Sequence, residues 1–578
     1  MLKARAPWRR RSAPEDLIAE LEHELHLAPL TARLLVQRGI TNPVEAERFL
    51  SKRLSDLHKP ELLRDMDVAA KRFAHAIEQR QRIMVHGDFD VDGSTSTALL
   101  KLFCKLCSHD VTAWIPHRID DGYGLTEASF EAAREHQAEL MITVDCGISD
   151  HGWAQRIEQE LGCDVIVTDH HLSQGELPNC TAVCNPNRPD CDYPDKGLAG
   201  VGVAWKLCWS TACVLCGSER VTDRMRSFLL DALALVAVGS VADCAPLGGE
   251  NRILVHHGLQ ALGRSSNHGL RALIEQCRLG DAITADDIGW KIAPLLNASG
   301  RLSSAMRNIS LLCADTAEDA AAVLHDVVDE NEERKRLSQH LTEDLIAQVE
   351  TDPQYAERNS LVFAGEGWHA GVVGIVASRL VDRFAKPACV IAIENGVGKG
   401  SLRTVAGFHL GEALAACKQH LIKGGGHAAA AGITIEPDQV DAFSAAFEAH
   451  VSTTCPGGFE PPSIEHDGTA CIGDLDSSFY ADLQRIEPFG NSNPEPVLCI
   501  DDVRLIRPQL FGRNGDHVRG SVTDAGGGLQ PFYHWRGKDS LTDATQPGCT
   551  LEFLVRPQLN RWRGELQPRL VFVDGRAR

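Results

Sequence analysis

The sequence predicts an α/β protein with two α/β lobes, a long helix that joins them and a small C-terminal β-barrel. Three observations support this fold class. Strand-like and helix-like segments alternate over residues 83–245, a charged helical pattern covers 315–350, and short strand-like runs separated by turns fill 497–573. Such alternation is typical of a parallel doubly wound sheet, and short, regularly spaced strands are typical of a barrel.

The chain is long enough for several domains, since its 578 residues exceed the usual ~100–200 residues of one domain. A segment rich in Pro and Gly at 452–462 separates the barrel from the rest. The predicted divisions are an N-terminal helical extension (1–60), a first α/β domain (61–314), a linker helix (315–350), a second α/β domain (351–452) and the barrel domain (463–578).

Composition indicates a reduced, cytoplasmic enzyme-like protein. The basic start of the chain is followed by Pro14-Glu15-Asp16 rather than by an apolar stretch, so we expect no signal peptide. The apolar run Ala232–Ala242 is too short to cross a bilayer and indicates a buried helix or strand. The 19 cysteines are odd in number and lie in apolar contexts, which favours free thiols.

Two Cys-x-x-Cys pairs leave a second interpretation open. Cys104/Cys107 and Cys213/Cys216 have zinc-ligand spacing, but they are far apart and lie in apolar helical segments. Small apolar helix residues are therefore the preferred interpretation.

The net charge of −21 does not exclude nucleic acid as a ligand, because the charge is unevenly distributed. Residues 501–578 carry +3 and the remainder −24, and 11 of the 12 basic residues in that segment are Arg. Arginine is suited to bidentate phosphate contacts. A metal centre built from carboxylates accounts for part of the negative charge elsewhere.

The first lobe is predicted to be a parallel sheet with helices on both faces. The candidate strands are 83–87, 111–115, 140–144, 164–168 and 181–184, and the candidate helices lie near 94–107, 126–136, 150–161, 199–215 and 226–242. Ligands of such sheets bind beyond the carboxyl ends of the strands.

Potential metal ligands cluster at these ends. If the chain stays extended after residue 83, His86, Asp88, Asp90 and Asp92 point to one side, while Val85, Phe89 and Val91 face away. Further segments end in Asp145, in Asp169-His170-His171 and in Asp243. Each of these residues alone is also an ordinary cap or turn residue. Together, the anions repel one another unless hard divalent cations, Mn²⁺ or Mg²⁺, lie between them.

Two glycine-containing segments of the second lobe suggest phosphate binding. Gly398–Arg403 contains Ser401 and Arg403, and Gly424–Gly426 precedes His427. Backbone without side chains lets a phosphate approach closely. The alternative is that both segments are simple turns.

The barrel has the strand number of an OB-fold and a composition suited to single-stranded nucleic acid. Aromatic residues alternate with arginines along its strands, although each aromatic on its own fits a barrel core equally well. The residues concerned are Phe532, Tyr533, Trp535, Trp562, Arg519, Arg536, Arg561 and Arg563.

These motifs resemble the DHH phosphoesterase superfamily. His86-x-x-x-Asp90-x-Asp92, Asp145, Asp169-His170-His171 and Asp243 match its motifs, and Gly424–His427 resembles its DHHA1 domain. The whole layout is similar to the RecJ family of exonucleases, including the segments Ile115–Arg118, Asp121–Gly124, Pro294–Arg301, Trp368–Arg379 and Glu487–Gly490. Asn491-Ser492-Asn493 departs from the family pattern, and a further C-terminal domain of some relatives is expected to be absent.

The resemblance implies a function. It implies 5′→3′ exonuclease activity specific for single-stranded DNA, release of nucleoside 5′-monophosphates and two Mn²⁺ or Mg²⁺ ions. It also implies a monomeric, cytoplasmic enzyme of DNA recombination and repair that binds no membrane. Its implied partners are single-strand-binding protein and a RecQ-type or RecBCD-type helicase.

The resemblance also implies roles for individual residues. The metal ligands would be His86, Asp90, Asp92, Asp145, His170 and Asp243. His171 would contact the scissile phosphate, with Asp88 and Asp169 orienting the histidines. The substrate-binding residues would be Asn297, Arg301 and His427, together with Arg118, Ser401 and Arg403 around the 5′-terminal phosphate.

Two alternatives remain open at this point. One is a DHH enzyme with a small substrate, such as a pyrophosphatase, an oligoribonuclease or a cyclic-dinucleotide phosphodiesterase. The predicted barrel argues against it, because small substrates need no clamp. The other is a catalytically inactive DHH scaffold in a replication complex, and the intact cluster of ligand-type residues argues against it.

Overall fold

The structure is a computed structural model that describes residues 6–173, 175–280, 282–459, 463–512, 514–538, 551–562 and 565–577. It contains the two α/β lobes, the connecting helix and the barrel that the sequence predicts.

The first lobe is built on a five-stranded, fully parallel sheet, which confirms the predicted topology. From one edge to the other, the strands are Thr112–Trp114, Ile83–His86, Leu140–Val144, Asp164–Thr168 and Ala182–Cys184. The central strand is buried throughout because helices cover both faces. The longer helices of this lobe are Met66–Glu78, Val91–Leu106, Glu127–Glu135, His151–Leu161, Gly200–Cys216, Asp223–Asp231, Leu233–Ala242, Gly249–Gly263, His268–Gln276, Ala293–Leu302 and Met306–Leu312.

Two boundaries in this lobe differ from the prediction. The helix expected from residue 94 begins at Val91, since Asp90 caps it by accepting a hydrogen bond from the Gly93 amide. The segment expected to be one helix at 226–242 is two helices that meet at Ala232. Asp223–Ala242 is also the one helical stretch, within the described ranges, with the length and apolarity of a membrane span. Its second helix, Leu233–Ala242, is buried in the core of the lobe.

The long helix Ala317–Thr351 connects the two lobes, as predicted. Thr316 caps it by accepting a hydrogen bond from the Asp319 amide. At 35 residues it extends about 50 Å. Its first half packs into the first lobe through Leu324 and Val327, and its second half packs into the second lobe through Leu341 and Leu345.

The second lobe contains a five-stranded mixed sheet. Its strands, in order across the sheet, are Lys423–Gly426, Ala430–Ile435, Val397–Arg403, Ala388–Glu394 and Leu361–Glu366. Only the last two are parallel to each other. The helices are Gln354–Glu357, Val373–Phe384, Leu410–Ala416 and Val440–Thr454.

The C-terminal region is a closed five-stranded barrel, as predicted. It closes because the first strand pairs with both the second and the fourth. A short strand, Gly468–Thr469, extends the sheet, and the helix Ser477–Ile486 packs beside it. The barrel strands are Leu498–Phe511, His517–Thr523, Leu529–His534, Leu551–Trp562 and Glu565–Ala577.

The N-terminal helices share one hydrophobic core with the barrel. The helices Glu15–Leu25, Pro29–Gln37 and Pro43–Ser51 bury their apolar faces against the barrel and the helix Ser477–Ile486. In addition, the strand Trp8–Arg10 pairs in parallel with Ile464–His466. The two ends of the sequence therefore form one structural unit.

Arg252 and Lys52 join this unit to the first lobe. Arg252 is 2% exposed, and its Nη2 donates to the carbonyl oxygens of Arg485 and Glu487 at 2.7 and 2.9 Å. Lys52 Nζ donates to the same two carbonyls at 3.0 and 2.9 Å. Both cations therefore satisfy carbonyl groups at the carboxyl end of the helix Ser477–Ile486.

Replacing Arg252 by methionine is expected to lower the free energy of unfolding by about 2 kcal/mol, because the carbonyls of Arg485 and Glu487 lose one of their two donors and the carbonyl of Phe49 loses the Arg252 Nε donor. Thermal unfolding followed by circular dichroism measures this effect. Arg264→Met, at an exposed position near the end of the same helix, is the matched control. A melting temperature unchanged in Arg252→Met would contradict the joining role.

Candidate active site

The candidate site lies at the carboxyl end of the first sheet. The strand Ile83–His86 is followed by a loop that contains Asp88. Asp90 caps the helix Val91–Leu106, and Asp92 lies in its first turn. Asp145 follows the central strand, in a left-handed conformation with φ 62°. Asp243 lies at the carboxyl end of the helix Leu233–Ala242 rather than at a strand end.

Three overlapping groups of side chains have the spacing of metal ligands. In each group, the ligand atoms lie within 4.8 Å of one another. Asp145 and His170 each occur in two groups, so the three groups form one continuous pocket. The groups are Asp88/Asp90/Asp145, Asp92/His170/Asp243 and Asp145/His170/His171.

His86 is the predicted ligand that the structure does not bring into these groups. Its Nε2 lies 2.9 Å from Ser129 Oγ, and its Nδ1 lies 3.6 Å from Cys146 Sγ. Its ring is fully buried and lies 4.9 Å from the ring of Trp114. Asp88, by contrast, lies in one of the groups, since the chain leaves the extended conformation after residue 86.

The pocket contains buried polar atoms without a protein hydrogen bond, which is the signature expected of metal ligands. Asp88 Oδ1, Asp145 Oδ1 and His170 Nε2 form none in the described part of the chain. His170 Nε2 lies 3.1 Å from Asp145 Oδ1 and 3.8 Å from Asp243 Oδ2. Oxygen and imidazole donors at these positions fit Mn²⁺ or Mg²⁺, and unsatisfied buried groups of this kind are costly without a cation.

Charge repulsion in the pocket shows in the pKa values. Burial and neighbouring carboxylates raise the pKa of Asp88, Asp92 and Asp145 well above the usual range. Burial and the nearby Asp90 raise the pKa of Asp243 to about 7. Burial and the adjacent His171 lower the pKa of His170 to about 4, so this ring is neutral and able to act as a ligand.

His171 is held in the opposite protonation state. Its Nδ1 lies 2.8 Å from Asp169 Oδ1, and this hydrogen bond outweighs burial and raises the pKa of His171 to about 9. Asp169 also accepts hydrogen bonds from the amides of Ile148, His170 and His171. Asp169 therefore holds the His171 ring in place, and the raised pKa makes His171 a cation at neutral pH. The Tyr123 hydroxyl lies 3.1 Å from the same Nδ1.

A helix amino terminus fixes the position of Asp92. Its two carboxylate oxygens accept hydrogen bonds from the amides of Gly200 and Val201 at 2.9 and 2.8 Å. These amides begin the helix Gly200–Cys216, and a carboxylate is favoured at such an end. A Cβ atom at position 200 would lie 2.6 Å from Asp145 Oδ1.

Replacing Gly200 by alanine is therefore expected to displace Asp145 and to lower kcat at least about tenfold. The measurement is the initial rate of phosphodiester cleavage at saturating Mn²⁺. Gly152→Ala is the control, because a Cβ atom there meets no atom within 4 Å. Equal rates in the two variants would show that Asp145 tolerates the added methyl group.

Three arginines, Arg118, Arg301 and Arg403, gather beside the anionic pocket. Arg118 interacts electrostatically with Asp88 and Asp90, and Arg301 interacts with Asp90. Burial and the neighbouring arginines lower the pKa of Arg301 to about 9. Burial and Arg118 lower the pKa of Arg403. A bound anion would relieve the repulsion between these cations.

Both lobes contribute to this arginine cluster. Arg118 comes from the first lobe and lies 4.6 Å above the ring of Phe89. Phe89 was expected to face away from the site, and the structure instead places it under Arg118. Arg301 Nη1 lies 3.3 Å from the carbonyl oxygen of Gly371 in the second lobe. Lys399 Nζ donates to the Ile119 carbonyl oxygen at 2.7 Å and ties the two sides together.

The second lobe adds a hydroxyl group and a helix amino terminus to the cluster. A Cβ atom at Gly374 would lie 3.1 Å from Arg403 Nη2 and 3.3 Å from Ser401 Oγ. Ser401 and Arg403 therefore approach the first turn of the helix Val373–Phe384. Helix amino termini favour anions, so this arrangement suits a phosphate group.

Two predicted substrate-binding residues, Asn297 and His427, remain to be located. Asn297 lies one turn before Arg301 on the helix Ala293–Leu302 and is partly exposed. His427 is exposed in the turn between the edge strand Lys423–Gly426 and the neighbouring strand Ala430–Ile435.

An aromatic cluster covers one face of the barrel. Phe511, His517, Tyr533 and Trp535 contact one another, with ring centroids 5.2–6.1 Å apart. Arg519 lies 5.8 Å from the ring of Phe511, and Arg569 lies 5.6 Å from that of Tyr533. Of the predicted aromatics, Phe532 belongs to the core. Arg563 and the side chains of Arg561 and Trp562 lie outside the described residues.

The alternative zinc site does not form within the described ranges. Every described cysteine is free, and the groups with metal-ligand spacing contain none of them.

Comparison with known proteins identifies the family. Three family profiles match the chain: "DHH family, N-terminal domain" at residues 82–238, "DHHA1 domain" at 357–453 and "RecJ OB domain" at 466–574. The protein named single-stranded-DNA-specific exonuclease RecJ of Bacillus subtilis is 35% identical, over 99% of this chain and 71% of its own length. The chain belongs to the RecJ family.

Other RecJ proteins are similar to this chain in sequence and in structure. RecJ of Escherichia coli is 34% identical over 91% of both chains. The crystal structure of RecJ in complex with Mn²⁺ from Thermus thermophilus superimposes with a TM-score of 0.80 and 30% identity, covering 99% of this chain and 80% of that one. The corresponding Mg²⁺ complex gives a TM-score of 0.74.

Proposed function

We propose that this RecJ family member is a single-stranded-DNA-specific exonuclease that degrades DNA from the 5′ end and releases nucleoside 5′-monophosphates. One observation carries the proposal. An anionic pocket with metal-ligand spacing adjoins a cluster of arginines that lower one another's pKa. A phosphodiester whose phosphorus lies at the pocket and whose terminal phosphate lies among the arginines complements both charges.

The pocket residues divide into two candidate ligand sets for Mn²⁺ or Mg²⁺. Asp88, Asp90 and Asp145 would hold one ion, and Asp92, His170 and Asp243 would hold the other. Asp145 also groups with His170, a ligand of the second set. Two such ions supply Lewis acidity and water activation. His86 would support the pocket indirectly, through its contacts with Ser129 and Cys146.

The residues of the chain perform the remaining tasks. His171, protonated through its pairing with Asp169, donates a hydrogen bond to an oxygen of the scissile phosphate and stabilises the charge that develops there. Arg301, and Asn297 on the same helix, hold the strand by its backbone phosphates. These contacts position the phosphorus without reading the base sequence.

The selection of a 5′ end follows from the second lobe. Arg118, Ser401, Arg403 and the amino terminus of the helix Val373–Phe384 surround a space suited to a terminal phosphate. A phosphomonoester carries more negative charge than an internal phosphodiester, so it gains more from this site. The 5′-terminal nucleotide is then released with its phosphate.

The barrel and the N-terminal helices provide a place to hold the rest of the strand. The cluster of Phe511, His517, Tyr533 and Trp535, flanked by Arg519 and Arg569, has the composition of a base-stacking surface. A pyrophosphatase or a dinucleotide phosphodiesterase needs no such surface, so this observation favours a long substrate.

The proposal extends to the cellular setting that the resemblance implies. The enzyme would act as a monomer in the cytoplasm, in DNA recombination and repair, with single-strand-binding protein and a RecQ-type or RecBCD-type helicase supplying the strand. Free thiols throughout the described residues support a reducing location.

The test is digestion of oligonucleotides labelled at the 5′ or the 3′ end, with Mn²⁺, with and without a duplex block. We expect immediate release of mononucleotide from the 5′-labelled strand and arrest at the duplex. Faster turnover of pyrophosphate or dinucleotides than of a long strand would favour the small-substrate alternative. Absence of turnover with any of these, despite metal binding by calorimetry, would favour the scaffold.

A further inference from the structure

Trp290 is the most exposed large apolar side chain in the described part of the chain, with 80% of its surface accessible. It lies in a π-helical turn, Ile288–Ile292, that continues directly into the helix Ala293–Leu302. π-Turns are rare and occur frequently at functional sites. An isolated exposed tryptophan on the catalytic lobe has no packing role that would explain it.

The accessible residues of this helix form a single stripe. Between Ile292 and Arg301, only Pro294, Asn297 and Arg301 are accessible, whereas all other residues are buried. Together with Trp290, these residues follow a 4-3-4 spacing, which places them on one helix face. The face that carries Asn297 and Arg301 therefore also carries Trp290.

The two ends of the stripe lie at functionally different places. Arg301 is close enough to Arg118, Arg403 and Asp90 for each to affect its pKa. Trp290 lies eleven residues earlier, about 16 Å away along the helix axis. Its neighbour Gly289 approaches Val241, two residues before Asp243.

The Trp290 end of the stripe also borders the barrel. Asp286, one turn before Trp290, interacts electrostatically with Arg556 of the barrel, whose Nη1 lies 3.7 Å from Glu495. The stripe thus runs from the arginine cluster towards the barrel.

We propose that Trp290 is a base-stacking platform that holds the incoming single strand between the metal pocket and the barrel. This inference rests on the proposed function, because it assumes that a strand enters the pocket by its 5′ end. At about 3.4 Å per stacked nucleotide, the 16 Å stripe spans about five nucleotides, so Trp290 lies beyond the third nucleotide of the strand. A stacked base contributes affinity without sequence preference. Trp290 is therefore a positioning residue and takes no part in bond cleavage.

The first test is steady-state kinetics with a 5′-phosphorylated 20-mer and a 5′-phosphorylated trinucleotide. Trp290→Ala is expected to raise KM for the 20-mer about tenfold while leaving kcat and the trinucleotide rate unchanged. Trp290→Phe, which keeps an aromatic face, is expected to restore most of the affinity. Leu230→Ala, at another exposed apolar position of the same lobe, is the control.

The second test locates the stacked base. A series of 20-mers, each with one abasic site at positions two to eight, is bound in EDTA and followed by fluorescence anisotropy. The wild type is expected to lose affinity at one position, and Trp290→Ala is expected to show no loss there.

Two results would overturn the proposal. One is an unchanged KM for the 20-mer in Trp290→Ala, and the other is an equal loss on the 20-mer and the trinucleotide. Failure of the proposed function is distinguishable, since the wild type itself would then show no 5′-dependent release of mononucleotides.

Discussion

Replacing Asp145 by asparagine is expected to reduce the rate of DNA cleavage by about a thousandfold or more, while DNA binding persists. Asp145 belongs to the group that contains Asp88 and Asp90, and its Oδ1 lies 3.1 Å from Nε2 of His170, a ligand of the other candidate position, so its loss is expected to disturb both positions. Metal ions contribute several kcal/mol to stabilising the transition state, and about 1.4 kcal/mol corresponds to a factor of ten in rate. Single-turnover cleavage of a labelled oligonucleotide in Mn²⁺ measures the change.

In the absence of metal, the same substitution is expected to stabilise the protein although it lowers the cleavage rate. Asp145→Asn removes one charge from a set of mutually repelling carboxylates, so in EDTA it should unfold at a higher temperature than the wild type. Added Mn²⁺ should stabilise the wild type more than the variant. Asp164→Asn, at the amino end of a neighbouring strand and paired with Arg72, is the control. Normal cleavage in Asp145→Asn would rule out the shared-ligand assignment.

Replacing Arg403 by alanine is expected to remove most of the preference for a 5′-phosphorylated end. One charge-assisted hydrogen bond contributes about 1.5–3 kcal/mol, so kcat/KM on a 5′-phosphorylated strand should fall between about tenfold and a hundredfold. The rate on a strand with a 5′-hydroxyl end should change little, because that substrate lacks the phosphomonoester. The ratio of the two rates is the measurement.

Arg403→Lys separates charge from geometry at this position. A lysine keeps the positive charge but loses the planar guanidinium, so an intermediate preference is expected. Arg379→Ala is a useful comparison, since Arg379 contacts Thr342 on the linker helix. A loss of the same size on 5′-hydroxyl and 5′-phosphate strands would mean that Arg403 supports the fold of the pocket rather than the terminal phosphate.

The fold was largely predictable because strong periodic signals decide it. The five parallel strands of the first lobe and the Thr316-capped helix follow from runs of β-branched residues and from i+4 spacing. The conformation of the segment between His86 and Asp92 did not follow. Alternation of side chains holds only while a strand lasts, and Asp90 ends the extended segment by capping a helix. This local competition places Asp88, and not His86, in a group with metal-ligand spacing.

Contacts between distant segments also could not be predicted from the sequence pattern. Phe89 and Tyr123 carry no ligand-type group, yet the first supports Arg118 and the second approaches His171. The signal that could have identified these two residues is their position inside the motif segments Ile83–Gly93 and Asp121–Gly124. The core shared by residues 18–50 and 470–572 gave no local signal, because each half looks like an ordinary amphipathic element.

This shared core has a consequence for biosynthesis. The apolar faces of Leu21, Leu34 and Leu35 are completed by residues such as Phe479 and Phe553, more than 400 positions later in the chain. At a translation rate of about 5–20 residues per second, the N-terminal helices emerge from the ribosome roughly half a minute or more before their packing partners. During that interval the two α/β lobes have time to fold, so helices that are made before both lobes are buried only after them.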